Sequence, residues 1–313
     1  MKKFLFNIVA FVLIAFTTLM ICVMSTSAIV DSKEFNNGST ESNTLVFHEN
    51  EQYDLMISGI SHARFFSRYQ HHQIVEGLLD KKMINIGQGS NICGVNEQYF
   101  YLRFFLDQGN TTRQLVYFLS PPMLYSETLP IASNTFDYER FDFSFLWAYL
   151  NSESENKRQR IFSYIKSKLK PSWLFHNGSK QNGIYNKLDK IDQDVVKKGF
   201  IEAYGENGPS NDRFLKSCKV LEEEIIFCQK HGISFAFVIP PALFGKWPGH
   251  QEVVKFAERM HQQYSIQYYD HAEAVLEPTL YKDHHHLNTE GIKYYTAHYL
   301  KDIINEKDLI TGN

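Results

Sequence analysis

The stretch Tyr53–Ser61, YDLMISGIS, is a short and largely apolar run that stops at Gly-Ile-Ser. Its apolar residues are consecutive rather than alternating, which indicates a strand over Tyr53–Ser58 with both faces buried. Helical periodicity follows at once, over His62–Leu79. A buried strand that leads directly into a helix is typical of a parallel sheet whose faces are covered by helices.

The same alternation of buried strand and helix continues along the chain. Four more apolar runs predict strands, at Met83–Ile86, Gln114–Leu119, Ile233–Ile239 and Ile266–Tyr269. Helical patterns separate or follow these strands, at Tyr99–Leu106, Phe214–Lys230, Glu252–Tyr264 and Thr289–Ile304. The pattern predicts an α/β fold, a three-layer, doubly wound parallel sheet of the flavodoxin-like type, in a domain over residues 51–313.

Residues 123–210 break this alternation, because they are rich in Tyr, Phe, Asn and Lys and show helical character mainly over Ser152–Lys170. We interpret them as a mostly helical insertion after the third strand. Aromatic side chains in and near this segment can stack on sugar rings or pack in the core. Core packing is the simpler interpretation for each of Tyr99, Tyr101, Tyr125, Trp147 and Trp173.

The first thirty residues predict where the protein lies in the cell. Two lysines precede an apolar run, Phe4–Val23, which as a helix would span about 30 Å, the thickness of the hydrocarbon core. We expect residues 1–30 to form a signal anchor that crosses the membrane once, with the body outside, because lysines favour an inside N-terminus. Two alternatives stay open: a signal cleaved near Thr26-Ser27-Ala28, and a buried core helix. Residues 31–50 are polar and predict a tether.

The composition excludes several classes of protein. Of the 313 residues 43% are hydrophobic, which excludes a disordered chain. The 32 Lys and Arg against 35 Asp and Glu give a net charge of -3, whereas a nucleic-acid-binding domain is clearly basic. We therefore expect no nucleic-acid partner. The body contains an odd number of cysteines, Cys93, Cys218 and Cys228, at spacings that indicate neither a disulfide framework nor a zinc signature.

Two turns follow predicted strands at the edge of the sheet where ligands bind in open parallel sheets. Ser61 comes after the first strand, at a strand-to-helix turn where its hydroxyl can face the crevice or simply cap the helix. Gly87-Gln88-Gly89 comes after the second strand. Its glycines can bring main-chain N–H groups close to an oxyanion, or form an ordinary turn.

The most specific motif is Asp283-His284-His285-His286-Leu287-Asn288, directly before the last helix. The spacing lets the Asp283 carboxylate hold the His286 imidazole while the other ring nitrogen serves a serine, as nucleophilic catalysis requires. The histidines also permit a metal site, with Asp270, His271 or Asp283 as further ligands. Consecutive side chains splay apart, however, and the chain has no HExxH pair, so we expect no metal. A solvated polar loop is the third interpretation.

These three blocks together resemble the SGNH (GDSL-type) hydrolase superfamily. More narrowly, the chain looks like the membrane-anchored bacterial branch that includes alginate O-acetyltransferases and the D-alanine transfer proteins of teichoic acid modification. The fourth-strand segment from His231 to Pro241 also fits that branch. The resemblance covers residues 50–122 and 212–305 and leaves the insertion unmatched.

The resemblance implies a role for each matched residue. Ser61 would be the nucleophile, His286 the base and Asp283 its orienter. The main-chain N–H groups of Ser61 and Gly89 would form the oxyanion hole, with Gly87 as the alternative to Gly89. No cofactor is implied.

The implied activity is that of a serine-dependent acyltransferase or esterase. Its substrate would be a cell-envelope polysaccharide or related polymer that carries O-acetyl or similar groups. The implied partner is a multi-pass membrane acyltransferase. The implied location is the bacterial cytoplasmic membrane, crossed once, with the body on the periplasmic or extracellular side.

The chain also departs from the family pattern. Leu119-Ser120-Pro121-Pro122 stands where the family has Gly-x-Asn-Asp after the third strand. This difference favours an alternative function, a non-catalytic protein of the same fold that binds glycan or supports an acyltransferase complex. His62 is the residue after Ser61, and we expect its side chain to point away from that serine. We expect Arg64, one helix turn after Ser61, to form a surface salt bridge rather than to bind a carboxylate or phosphate.

Overall fold

A computed structural model describes residues 2–31, 47–88, 94–125, 141–152, 157–170 and 183–305. Its centre is a five-stranded sheet in which every strand pair is parallel and the strand order is β2-β1-β3-β4-β5. The strands are β1 (Gln52–Gly59), β2 (Met83–Asn85), β3 (Thr111–Phe118), β4 (Ser234–Ile239) and β5 (Gln267–Asp270). The predicted α/β parallel sheet is therefore confirmed, and each strand overlaps its predicted range.

Helices cover both faces of the sheet. In the body they are Ser61–Arg64, His71–Leu79, Val95–Asp107, Pro121–Tyr125, Phe143–Leu150, Lys157–Ser167, Gln193–Tyr204, Asn211–Lys230, His250–Tyr264, Thr289–Tyr295 and Lys301–Asn305. A single π turn, Thr296–Leu300, joins the last two. Within the described part of residues 123–210 the regular elements are all helical, and the predicted domain boundaries stay predictions.

Successive residues along each strand point to opposite faces of the sheet and pack in two separate hydrophobic cores. Met56 and Tyr117 belong to the core beneath the helices Val95–Asp107 and Asn211–Lys230. Ile57 and Phe118 belong to the opposite core, beneath the helices that include Thr289–Tyr295. All these side chains are fully buried, which stabilises the fold by about 1.5–3 kcal/mol for each large apolar side chain.

The aromatic residues singled out in the sequence differ in their burial. Tyr101 and Tyr125 are fully buried and Tyr99 is partly buried against the same core, so core packing is confirmed for these three. Trp147 is instead 70% exposed. Trp173 lies outside the described residues.

The predicted helix over His62–Leu79 is wrong in its middle. The chain leaves the helix at Arg64 and passes through left-handed backbone at Tyr69 and Gln70, with φ of 56° and 61°. The His71 ring explains the break, because its Nδ1 donates to the Phe65 carbonyl at 2.6 Å and its Nε2 lies 2.9 Å from the Thr289 hydroxyl. That last partner is distant in sequence, so local periodicity could not indicate it.

The N-terminal helix, Lys2–Asp31, stands apart from the sheet. Its segment Lys2–Ser27 is long and apolar enough to cross a membrane or to act as a signal sequence, and only 6% of its most apolar window is buried. The alternative of a buried core helix is therefore wrong. The far end of the helix touches the body, because the Phe141 main-chain N–H donates to the Ser27 hydroxyl at 2.8 Å.

Candidate active site

Ser61 lies at the carboxyl end of β1, as the first residue of the short helix Ser61–Arg64. The residue in the N-cap position is Ile60, so the Ser61 hydroxyl does not cap the helix. It lies instead 2.8 Å from Nε2 of His286, which is 225 positions further along the chain. The strand-to-helix turn thus presents the hydroxyl to a second loop at the same edge of the sheet.

Gly59 makes this turn possible. Its φ is +135°, and a Cβ atom there would lie 2.8 Å from the Phe118 carbonyl oxygen of the neighbouring strand. A side chain at this position would therefore be strained by both its backbone and its neighbours.

We expect Gly59→Ala to lower the free energy of unfolding by about 2–4 kcal/mol and to displace Ser61. The reason is that neither β1 nor β3 can move away from the new Cβ atom without breaking the hydrogen bonds that pair the two strands. Gly77→Ala is the matched control, since Gly77 lies in the helix His71–Leu79 and a Cβ there meets no described atom within 4 Å. Urea denaturation of both variants measures the difference. A Gly59→Ala protein as stable as Gly77→Ala would contradict this account of the turn.

The loop before the last helix holds Asp283 and His286 together. The Asp283 carboxylate accepts the main-chain N–H of His285 at 3.1 Å and that of His286 at 2.8 Å. The same carboxylate lies 2.9 Å from Nδ1 of His286. The loop is closed by a bridge between Tyr281 and Leu287. The main chain of the loop therefore holds the carboxylate in place independently of its contact with the imidazole.

The electrostatics of this pair favour one arrangement of protons. Burial alone would raise the pKa of the Asp283 carboxyl, but the hydrogen bond and charge of His286, with the charge of His285, hold that pKa well below its usual range. An ionised Asp283 accepts a hydrogen bond from the Nδ1–H of His286, which leaves Nε2 of His286 unprotonated and able to accept the Ser61 hydroxyl proton. The arrangement can thus withdraw a proton from the serine.

Aromatic packing fixes the plane of the imidazole. The Phe65 ring stacks on His286 with a centroid distance of 4.6 Å and an interplanar angle of 14°. On another side, the His285 ring centroid lies 4.0 Å away. The His286 side chain is only 13% exposed, so its orientation relative to Ser61 is set by packing as well as by Asp283.

His62 and Ser120 form a second serine–histidine contact beside the first. Nδ1 of His62 lies 2.9 Å from the Ser120 hydroxyl, and both side chains are buried. Burial, with the neighbouring charges of His286 and His285, lowers the pKa of His62 well below its usual range. His62 is therefore neutral and engaged by Ser120 rather than Ser61. The sequence contained no signal for this pair beyond the position of Ser120 at the end of a strand.

The predicted oxyanion donors are only partly described. Gly89 lies outside the described residues. The N–H of Gly87 donates to the Asn85 side chain at 2.9 Å, so it is not available to an oxyanion. The N–H of Ser61, in the first turn of its helix, has no intrahelical acceptor and stays a candidate.

Three histidines could hold a metal, but they are not the predicted set. One ring nitrogen from each of His62, His285 and His286 lies within 4.8 Å of the others. Such a cluster, with Asp283 behind His286, has the chemistry of a zinc site. Of the predicted further ligands, Asp270 and His271 face elsewhere, since Asp270 lies 3.0 Å from His250 and the His271 ring 2.8 Å from the Tyr295 hydroxyl.

Arg64 is fully buried, so the prediction that it lies at the surface is wrong. The main chain of its helix lies close to the turn after β2, because a Cβ atom on Gly87 would lie 3.1 Å from the Arg64 main-chain nitrogen. The position of Arg64 one turn after Ser61 did not indicate this burial.

Comparisons with known proteins add little to this geometry. No protein-family model matches the chain, and no curated protein matches it. Among solved structures, a Bacteroides fragilis protein provisionally described as an acylhydrolase has a TM-score of 0.41 and 12% identity, over 83% of this chain and 88% of that one. At that TM-score the similarity carries no argument about what this chain does.

Proposed function

We propose that this chain is a serine-dependent acyl esterase or acyltransferase of the SGNH type. The observation that carries the proposal is the continuous set of hydrogen bonds from the Ser61 hydroxyl through His286 to Asp283. A nucleophile, a base and a group that orients the base are what acyl transfer through a serine requires.

In the proposed reaction His286 removes the Ser61 proton as the oxygen attacks the acyl carbonyl. The tetrahedral oxyanion is stabilised by main-chain N–H donors such as that of Ser61, each lowering the barrier by about 3–4 kcal/mol. Collapse expels the alcohol, which takes its proton from His286. Water or a sugar hydroxyl then attacks the acyl-enzyme, with His286 as base again, and frees Ser61.

The proposed substrate is an acylated polysaccharide or related polymer of the bacterial cell envelope. This assignment follows the family resemblance together with the apolar N-terminal helix, which would anchor the body outside the cytoplasmic membrane. Transfer is favoured over hydrolysis because an anchored site lies near membrane-borne acyl donors. A multi-pass membrane acyltransferase is the proposed partner.

The alternative is a non-catalytic protein of the same fold that binds glycan. The segment Leu119-Ser120-Pro121-Pro122 favours it, because this segment stands in place of the family's Gly-x-Asn-Asp and its serine is engaged by His62. A zinc hydrolase built on His62, His285 and His286 is a second alternative.

A fluorophosphonate probe distinguishes the three functions. We expect the full-length protein in detergent to be labelled, the labelling to vanish in Ser61→Ala, and EDTA to leave it unchanged. Ser120→Ala is the matched control and should be labelled, since Ser120 is also a serine in contact with a histidine. An unlabelled but folded wild-type protein would indicate the binding function, and ester hydrolysis lost to EDTA would indicate the zinc hydrolase.

A further inference from the structure

Two helices of the insertion present large apolar side chains to the outside. On the helix Phe143–Leu150 the exposed residues Phe143, Trp147 and Leu150 are spaced by four and three positions and therefore share one face. They are 59%, 70% and 46% exposed. Core packing does not account for this face, because the opposite side of the helix is the side that packs in the core.

The second helix, Lys157–Ser167, extends the exposed apolar surface. Phe162 on it is 67% exposed, and Leu169 just after it is 54% exposed. The two helices are joined, since the Lys157 ammonium donates to the Leu150 carbonyl at 2.9 Å. We call the exposed apolar side chains of this pair the aromatic face: Phe143, Trp147, Leu150, Phe162 and Leu169. An exposed apolar surface of this kind marks a site of interaction.

The aromatic face lies beside the apolar N-terminal helix. Val23 and Ser27 of that helix are buried against the body, and Ser27 accepts the hydrogen bond from Phe141, two residues before the helix Phe143–Leu150. Val23 to Ser27 is about 6 Å along a helix axis. The body therefore contacts the last turns of the segment that is long enough to span a membrane, at the level where that segment would leave the hydrocarbon.

The charge of the second helix of this pair fits a phospholipid surface. The segment 157–170, KRQRIFSYIKSKLK, contains no Asp or Glu, and its exposed cations include Arg158 and Lys166. Tryptophan favours the membrane interface, and anionic headgroups attract lysine and arginine side chains near it. Aromatic and basic side chains on adjoining helices are typical of a segment that lies in the interface.

We propose that the helix pair Phe143–Leu150 and Lys157–Ser167 lies in the membrane interface, with the aromatic face among the acyl chains and the basic residues at anionic headgroups. The body then has two attachments to the bilayer, the N-terminal helix and this surface. Two attachments restrain rotation of the body about the anchor, so that one edge of the sheet keeps a constant height above the bilayer. The proposal is independent of the reaction at Ser61.

Fluorescence quenching of the full-length chain in nanodiscs tests this surface. The nanodiscs contain phosphatidylglycerol and phosphatidylcholine, and a fraction of the lipid carries a doxyl quencher on the acyl chain. In every protein compared Trp173 is replaced by phenylalanine, so that Trp147 and Trp247 are the two remaining tryptophans. We expect doxyl lipid to quench the emission of this parent protein, and the further change Trp147→Phe to remove most of that quenching. Trp247 is buried in the core and serves as the internal reference for folding.

Iodide in the aqueous phase gives the opposite readout. If Trp147 faces the acyl chains, the parent protein and its Trp147→Phe variant are quenched by iodide to the same extent. Loss of iodide quenching in Trp147→Phe, with doxyl quenching unchanged, would overturn the proposal.

Discussion

Asparagine in place of Asp283 is expected to lower the rate of acyl-ester hydrolysis by about 10⁴-fold. The reason is the proton on His286. The carboxylate accepts from Nδ1 of His286 at 2.9 Å, which keeps Nε2 unprotonated and able to accept the Ser61 proton. An asparagine can donate its amide to Nδ1, and the ring then carries its proton on Nε2, towards Ser61, where it cannot act as a base.

A chromogenic short-chain ester, assayed with full-length protein in detergent, measures this effect. The fall should be in kcat rather than KM, because Asp283 acts on the base and not on the bound ester. His286→Ala should cost more, about 10⁶-fold, since it removes the base itself. Asp80→Asn is the matched control, because Asp80 is exposed and its φ of 51° is a conformation that asparagine adopts readily. Equal kcat in Asp283→Asn and Asp80→Asn would remove Asp283 from the proposed mechanism.

The features that the sequence predicted are those that depend on neighbouring residues. Strands β1 to β4 are short apolar runs with glycine or proline close to their ends, so each could be recognised without knowledge of its partners. The loop containing Asp283 and His286 belongs to the same class, because both residues lie in one turn and the carboxylate is held by the main chain of that turn. The position of Ser61 at this edge of the sheet could be predicted because strand β1 ends two residues before it.

The features that the sequence could not predict depend on contacts between distant segments. His71 ends the first helix through contacts with Phe65 and, more than two hundred residues away, Thr289. Arg64 was predicted to lie at the surface of that helix but is fully buried, and the main chain of its helix lies close to the turn at Gly87. His62 next to Ser61 gave no sign of its contact with Ser120 at the end of β3.

Glu224 is a buried carboxyl whose burial makes the stability of the fold depend on pH. It lies on the helix Asn211–Lys230 with no exposed surface, and neither of its carboxyl oxygens has a hydrogen-bond partner among the described residues. Burial raises the pKa of Glu224 to about 8. The side chain therefore stays protonated in the folded protein at neutral pH, and it is ionised in the unfolded chain, where the pKa of a glutamate is about 4.3.

The sign of the effect follows from the protons bound in each state. Between about pH 4.3 and 8 the folded state holds a proton on Glu224 that the unfolded state has lost, so the free energy of unfolding falls by about 1.4 kcal/mol for each pH unit. The full loss, reached above pH 8, is about 4–5 kcal/mol, a large part of the usual stability of a domain. Glutamine has no proton to lose, so Glu224→Gln should not show this fall.

Urea denaturation of full-length protein in detergent, from pH 5 to pH 9, measures how the free energy of unfolding changes with pH. We expect the stability of Glu224→Gln relative to wild type to increase steadily as the pH rises towards 8 and then to level off. Taking the difference between the two proteins removes the contribution of every other titrating group. Glu223→Gln is the matched control, because Glu223 is the adjacent residue on the same helix and is exposed, so its curve should stay parallel to that of wild type. If Glu224→Gln also stays parallel to wild type from pH 5 to pH 9, Glu224 is ionised in the folded protein, and a group that neutralises its charge must lie beside it.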